Sequence, residues 1–346
     1  MHIEKNYDLT KLNTLGVKAN TSFFVELNSE QDLLELFKTR EFKENKKIFL
    51  GGGSNILFTK DFEGIVVLNK LKGIQILNTD KKKGDDVFIR CMSGEVWHDL
   101  VLFTVDQGLW GIENLAFIPG TVGGAPVQNI GAYGVELKDT LHSVEVYKIS
   151  DGSKKVFLKD ECEFGYRDSI FKNKFKGEYF ISAITLSLSK HSKPNLSYKI
   201  LADYINDKKI EVYNPKDISD AVTAIRTSKL PDPCVIGNAG SFFKNVFVDE
   251  EKFKELKEKY SDIKFFEEDG IKKIPAAWLI ESCGTKEGES WKGYRLGNVG
   301  VHAKHALILV NYGNGTGQEI KDLAEQIMDS VYSKFGLKLT PEVNLI

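Results

Sequence analysis

Cysteine is scarce in this chain and never paired: Cys91, Cys162, Cys234 and Cys283 stand far apart, with no Cys-x-x-Cys among them. That spacing excludes a zinc ribbon, a redox dithiol and a disulfide framework, and free thiols fit a reducing cytoplasm. Histidine is also sparse. His302 and His305 lack the His-Glu-x-x-His pattern and precede a strand, so they read as solvated or structural, and no metal is expected. A global basic field is missing, since the formal net charge is -2 at pH 7. The clusters Lys81 to Lys83 and Lys252 to Lys259 are interleaved with acids and read as solvated faces, so no nucleic-acid partner is expected. The longest apolar runs, such as Ala306 to Val310, are strand-sized, and Met1 to Thr10 lacks the basic start and apolar core of a signal peptide. A soluble cytoplasmic protein without membrane contact is the expectation. Internal repeats and low-complexity tracts are absent too, and 346 residues leave room for two or three domains.

The most informative absence is local. From Asn114 to Val135 the chain runs twenty-two residues without a charged side chain, in a protein that is 28% charged. Pro119, Gly120, Gly123, Gly124, Pro126, Gly131 and Gly134 make the stretch too rich in Gly and Pro for a helix and too broken for one strand. It reads as a buried loop. Buried irregular backbone must have its N–H and C=O groups satisfied, which a large ligand with ring edges and phosphates would do. A core-lining loop with two tight turns would do the same from within the protein.

What is present reads as α+β. Ser29 with Asp32 marks a capped helix start leading into Leu33, Leu34, Leu36 and Phe37, and Lys47 to Leu50 is a strand running into Gly51, so the front is a β-α-β unit. Strands are expected at Ile65 to Leu68, Ile74 to Leu77 and Val87 to Cys91, with Ser93 capping a helix through Gln107. Val144 to Ile149, Val156 to Leu158 and Tyr179 to Leu188 follow as strands, around a turn at Asp151 and Gly152. Lys190 to Tyr213 reads as a break. Beyond it a second α+β domain begins with a helix at Asn214 and Pro215, its face made by Ile218, Ala221, Val222 and Ile225. Further helices are expected at Glu250 to Tyr260, at Pro275 to Cys283 and after a Thr316 cap, with strands at Leu307 to Asn311 and Leu337 to Val343.

Three motifs stand out. Gly51, Gly52, Gly53, Ser54 and Asn55 follow a strand directly, where successive backbone N–H groups form either an anion-binding nest or a plain tight turn. No Gly-Lys-Ser/Thr follows, and Ile56, Leu57 and Phe58 continue strand-like, so this is neither a Walker loop nor a Gly-x-Gly-x-x-Gly fingerprint. Arg167 lies in the aromatic run Phe164 to Phe171, suited to clamping a carboxylate or to a structural arrangement with Asp168. Ser241 lies between a Gly-rich turn at Gly237 to Gly240 and Phe242 and Phe243. Without Gly-x-Ser-x-Gly it is no nucleophile elbow, leaving a proton donor or a structural serine.

Taken in order, Leu12 to Gly16, Gly51 to Asn55, Gly108 to Gly134, Phe164 to Phe171, Lys229 to Pro233, Gly237 to Asn245 and Pro341 to Val343 resemble the UDP-N-acetylenolpyruvoylglucosamine reductase family of the bacterial peptidoglycan pathway. The resemblance runs nearly end to end. Residues between Arg167 and Tyr198 look like the long-loop (type I) form, in which a tyrosine folds over the substrate. The resemblance implies an FAD-binding PCMH-type (vanillyl-alcohol-oxidase-like) flavin domain in two parts plus a C-terminal α+β substrate-binding domain. The expected boundaries are 1–70 and 71–213 for the flavin parts, 214–335 for the substrate domain and 336–346 for a returning terminal strand, with the capping loop near 190–205.

The implied activity is reduction of the enolpyruvyl ether of UDP-N-acetylglucosamine by NADPH through FAD, giving UDP-N-acetylmuramate, by a monomer in the cytoplasm. By the same resemblance Arg167 and Glu342 stabilise developing charge and Ser241 donates the proton. Gly51, Gly52, Gly53, Ser54 and Asn55 would hold the FAD pyrophosphate; Ile118, Gly120, Thr121, Gly124, Ala125, Val127, Ile130 and Gly131 would line the flavin, with Arg226 adding a cation. Tyr133, Tyr166, Tyr198, Lys229, Asn245, Lys292 and His305 would face the UDP-sugar. Thr340, Asn344 and His305 depart from the Glu, Arg and Gln common at those positions, which puts one flavin contact in doubt. Two other functions fit the residues: another FAD-dependent sugar or polyol oxidoreductase of this fold class, and a non-redox sugar-nucleotide binding module.

Overall fold

Ser29 opens the first helix with reciprocal bonds: its Oγ accepts from the Asp32 N–H at 3.0 Å, and the Asp32 carboxylate accepts from the Ser29 N–H at 3.0 Å. This capping box launches Glu30–Leu36, which buries Leu33 and Leu36. The computed structural model describes residues 1–77, 86–268 and 270–346, so the Lys81 to Lys83 cluster lies outside the described residues. The chain divides into two units, each built from separated segments.

The first unit takes residues 1–7, 21–52 and 63–228. Its front sheet orders Ile3–Asp8, Asn20–Leu27, Phe62–Asn69 and Lys46–Leu50, with the last two parallel and Lys46 opposite Gly64. Val25, Leu27, Ile65 and Val67 from this sheet pack on Leu33, Leu36, Phe37 and Phe42. The second sheet is antiparallel and orders Lys154–Leu158, Leu141–Lys148, Tyr179–Ser189, Asp86–Met92 and Ile74–Leu77. Its central strand is covered on both faces: Phe180, Ile181, Ala183, Ile184, Leu186 and Leu188 are all buried, with Ser182 and Thr185 among them. The helix Trp97–Asp106 contributes Leu100 and Val101 to the core on this sheet.

Three expectations change here. Ser93 caps nothing: it is fully buried, its Oγ accepts from Asn69 Nδ2 at 2.7 Å, and the helix starts later with Val96 as a cap that offers no side-chain oxygen. The break at Lys190 to Tyr213 contains a helix, Lys199–Asp207, with Leu201 and Ile205 buried one turn apart. Only two apolar anchors at that spacing leave a faint periodicity. The helix Pro215–Lys229, grouped by pattern with the back half, buries Ile218, Ala221, Val222 and Ile225 in the first unit's core.

The second unit takes residues 8–20, 53–62 and 229–346. Gly237–Ser241, Ile308–Asn311, Val299–Val301 and Arg295–Leu296 form one antiparallel sheet, and Val246–Val248, Ile271–Ile274 and Phe266–Glu268 form another. Helices Glu250–Lys259, Ala276–Glu281 and Gly317–Phe335 complete it, the last opened by the expected Thr316 cap in reciprocal bonding with Glu319. Ile320, Leu323, Ile327, Val331 and Phe335 are buried along its inner face. The terminal segment differs from the strand expected at Leu337 to Val343. It touches by a single bridge, Pro341 to Phe243, and pairs as a strand only at Asn344–Leu345, parallel to Ile56–Leu57. Pro341 sits at a non-hydrogen-bonded position of that bridge, whose bonds run from the Glu342 N–H to Phe242 O and from the Lys244 N–H to Thr340 O.

Candidate active site

In the first unit the glycine turn and the uncharged loop meet. A Cβ at Gly51 would lie 2.2 Å from Thr121 Oγ1, and one at Gly52 would lie 3.1 Å from Gly120 Cα. Gly52 therefore packs on the Gly120 backbone and Gly51 on the Thr121 side chain, contacts that leave little room for a Cβ at either glycine. The loop is pinned on its other side: Trp97 N–H donates to Gly120 O at 3.0 Å, Val122 N–H to Glu95 O at 2.9 Å and Gly123 N–H to Ser93 O at 2.8 Å. These bonds answer the question of how irregular backbone is satisfied. The loop is only partly interior. Leu115, Ala116, Val122, Ala125, Asn129 and Ile130 are buried, whereas Phe117, Pro119, Gly124 and Gly134 are exposed, and Ile118, Gly120, Thr121, Val127 and Gly131 are half-buried. The expected buried loop is thus a floor with one open face.

Two arginines reach this loop from different elements. Arg167 sits in a tight turn closed by reciprocal bonds between Gly165 and Asp168, at φ +53°, and its Nη2 donates to Gly131 O at 2.7 Å. Its Cζ lies 5.4 Å from the Tyr166 ring centroid. The Asp168 carboxylate accepts instead from Asn173 Nδ2 at 2.6 and 2.7 Å and from the Ser169 N–H at 3.0 Å. Arg226, on the helix Pro215–Lys229, donates Nε to Phe117 O at 3.1 Å. Burial holds the Arg226 pKa below its usual value, Tyr133 opposes that shift and the nearby Arg167 adds to it. Two guanidinium groups sharing one neighbourhood favour an anion, and a carboxylate suits their planar forks.

Tyr133 and Tyr198 meet edge to face, with centroids 5.4 Å apart, and burial pushes both phenol pKa values up. Asn114 Nδ2 joins their segments, donating to Tyr133 O at 2.8 Å and Asn195 O at 2.9 Å, and Asn195 Nδ2 donates to Gly134 O at 3.1 Å. The segment before Tyr198 is therefore tied down on the loop.

The second unit holds the remaining residues. Gly53, at φ +62°, is so close to Leu12 that a Cβ would lie 2.0 Å from its carbonyl oxygen, and Gly53 O accepts from the Thr14 N–H at 3.0 Å. Asn344, where arginine is common in the family resembled, donates N–H and Nδ2 to Asn55 O at 3.1 and 3.0 Å. Ser54 and Asn55 are half-buried. Ser241 is exposed at the end of its strand, after an irregular step in which Gly240 takes φ +67° and its N–H donates to Asn238 Oδ1 at 3.1 Å. Glu342 N–H donates to Phe242 O at 2.7 Å, so the terminal segment lies beside the residue after Ser241.

Lys229, Lys292, Glu281, His302 and His305 form a charged group in the same unit. Lys292 pairs with Glu281 at 2.9 Å, and burial, the main cause, lowers the His305 pKa while Glu281 opposes it. An imidazole kept neutral between lysines suits hydrogen bonding to a polar ligand, with the lysines as point charges for phosphates. Asn245 is engaged structurally, its Oδ1 accepting from the Ala276 N–H at 3.0 Å at a helix start. Asn129, Asn114 and Ser169, which tie these segments together, were given no role by the sequence; the first two are polar residues inside an uncharged Gly-rich run, and Ser169 lies in the run Phe164 to Phe171. Among the described residues no group of three or more His, Cys, Asp or Glu could hold a metal, and no helix is long and apolar enough to cross a membrane. All four cysteines are free, and burial pushes the Cys91 and Cys162 thiols up to about 12.

Residues 232–346 match the family model of the UDP-N-acetylenolpyruvoylglucosamine reductase C-terminal domain, and residues 21–156 match that of an FAD binding domain. Proteins named UDP-N-acetylenolpyruvoylglucosamine reductase from Flavobacterium johnsoniae and Amoebophilus asiaticus are 43% and 44% identical, over 100% of both chains in each case. The protein of that name from Neisseria gonorrhoeae is 42% identical over 97% of this chain and 95% of its own. The crystal structure of the Thermus caldophilus reductase superposes with a TM-score of 0.64 at 23% identity, covering 100% of this chain and 99% of that one, which speaks to the fold.

Proposed function

Because this chain belongs to the UDP-N-acetylenolpyruvoylglucosamine reductase family, we propose that it reduces the enolpyruvyl ether of UDP-N-acetylglucosamine to UDP-N-acetylmuramate, with NADPH as reductant and FAD as bound cofactor. The observation that carries the reading is identity above 40% along the whole chain to proteins of that name. The residues also fit the cofactor. The turn at Gly51 and Gly52, which has no side chains of its own and packs against Thr121 and Gly120, suits close approach of a phosphate and a flat ring system, and the residues of the loop are uncharged. Gly51 to Asn55 would hold the pyrophosphate, and Ile118 to Gly131 would line the flavin. When bound there, FAD would supply the redox chemistry, hydride transfer between NADPH and the substrate's carbon–carbon double bond.

The chain's own residues bind, orient and protonate. Hydride arriving at the terminal vinyl carbon leaves negative charge on its neighbour, conjugated with the carboxylate, and a proton added there completes the reduction. Arg167 would hold that carboxylate and, with Glu342, stabilise the developing charge, a role supported by the second guanidinium of Arg226 in its neighbourhood. Ser241 is assigned the proton. A hydroxyl is a weak acid, so it acts only when a strongly basic carbon is held close to it, and the Gly240 turn that sets its oxygen supports this role. Lys229, Lys292 and His305 would take the diphosphate and sugar, and Tyr133, Tyr166 and Tyr198 would cover the nucleotide. The place of this reaction is peptidoglycan precursor synthesis in the cytoplasm. The test is the visible spectrum of the purified protein with NADPH oxidation followed in the presence and absence of the enolpyruvyl substrate. Flavin absorbance with substrate-dependent NADPH consumption is expected; no chromophore after FAD reconstitution would overturn the proposal.

A further inference from the structure

The turn that carries Arg167 is held to the uncharged loop at three points, all within the first unit. Ser169 Oγ donates to Val127 O at 2.7 Å, Asn129 Nδ2 donates to Gly165 O at 3.1 Å, and Arg167 Nη2 donates to Gly131 O at 2.7 Å. Asn129 stands at the centre and is 0% exposed. Its amide is fully used: Nδ2 also donates to Glu136 Oε2 at 3.0 Å, and Oδ1 accepts from the Lys138 N–H at 3.0 Å. Its φ of +43° is left-handed, which asparagine tolerates better than most residues with a side chain. One buried amide therefore joins the floor of the loop, the strand end at Glu136 and the turn Gly165 to Asp168. Arg167 follows Gly165 by two residues within that turn and is itself left-handed, so the direction of its guanidinium is set by where Gly165 is fixed.

We propose that Asn129 is a positioning residue for Arg167: it locks the Gly165 to Asp168 turn so that the guanidinium meets the substrate's carboxylate in one preset orientation. This rests on the role given to Arg167 in the proposed reaction. Stabilisation of developing charge is strongest when the donor needs no reorganisation, so a loosened turn costs rate in the step that uses Arg167 and spares the step that does not.

The test is stopped-flow kinetics of the FAD-loaded protein. Asn129→Gly keeps the left-handed backbone accessible while removing every side-chain bond. It is expected to leave flavin reduction by NADPH within about twofold and to slow flavin reoxidation by the enolpyruvyl substrate about 100-fold. In an Arg167→Ala background the same change is expected to add no further slowing, as for two residues acting through one contact. Equal slowing of both half-reactions, or a second loss of about 100-fold on top of Arg167→Ala, would overturn the proposal in favour of a purely structural role. If Asn129→Gly does not fold, Ser169→Ala loosens the same turn from Val127 without altering a left-handed residue, and the same outcomes decide. Should Arg167→Ala alone leave reoxidation intact, the assignment of Arg167 falls and Asn129 with it. Should Arg167→Ala be slow and Asn129→Gly match wild type, only the positioning role falls.

Discussion

Glu342 donates its backbone N–H to the carbonyl of Phe242 at 2.7 Å, and with the bond from the Lys244 N–H to Thr340 O at 2.9 Å it sets the terminal segment beside Ser241. The same segment continues into Asn344 and Leu345, which pair with Ile56 and Leu57 directly after the glycine turn. Within the second unit, Ser241, Glu342 and the end of the glycine turn are thus linked by main-chain hydrogen bonds, whose geometry does not depend on side-chain rotamers.

The glycines separate two kinds of requirement. Gly53→Ala places a methyl 2.0 Å from Leu12 O at a left-handed residue, and should destabilise the protein by about 2 kcal/mol or more. Gly124→Ala has nothing within 4 Å and should leave stability within about 0.5 kcal/mol, yet lower flavin retention because its methyl projects from the loop's open face. Thermal melts with flavin-to-protein absorbance ratios check both. Flavin retention unchanged in Gly124→Ala would count against the loop as the flavin platform.

Acid should unfasten the first unit's second sheet. Arg90 bonds both oxygens of Glu145 at 2.5 and 2.8 Å, and Lys154 adds a contact at 2.9 Å. Hydrogen bonding by Arg90, the largest cause, lowers the Glu145 pKa from 4.5 to about 2. A carboxyl lowered in the folded state contributes stability that is present above pH 4.5 and is lost as pH falls towards 2. The contribution at neutral pH is on the order of 3 kcal/mol. Glu145→Gln should therefore be clearly less stable than wild type in urea titrations at pH 7 and nearly equal to it near the lower end of that window. A gap that does not close on acidification would refute the assignment.

The lysines should act on binding. Lys229→Ala and Lys292→Ala are each expected to raise KM for the UDP-sugar roughly tenfold, with flavin reduction by NADPH unchanged. Steady-state kinetics at two salt concentrations tests this, since the wild-type advantage should shrink as salt screens the diphosphate. Salt-independent loss would point to packing instead.

Local rules made much of the fold readable. Ser29 with Asp32 and Thr316 with Glu319 form the reciprocal caps their spacing suggests, and the glycine turn and uncharged loop, far apart in sequence, come into contact at Gly51 and Thr121. The misses have physical causes. Ser93 has the chemistry of a cap but bonds Asn69 from within the core, and Lys199–Asp207 rests on only Leu201 and Ile205. Leu337 to Val343 looks extended, but it meets Phe243 at an isolated bridge and ladder pairing begins at Asn344, because an extended segment needs a neighbouring strand that local sequence does not reveal. Arg167 was visible as a candidate, whereas the amide of Asn129 that holds its turn was not, because a buried tie between distant segments leaves no local pattern.

The central claim is that Ser241 supplies the proton in an FAD-dependent reduction. Stopped-flow measurement of both half-reactions in Ser241→Ala tests it most directly. The account predicts flavin reduction by NADPH close to wild type and flavin reoxidation by the enolpyruvyl substrate slowed by about 100-fold or more; equal impairment of both half-reactions, or reoxidation at the wild-type rate, would contradict it.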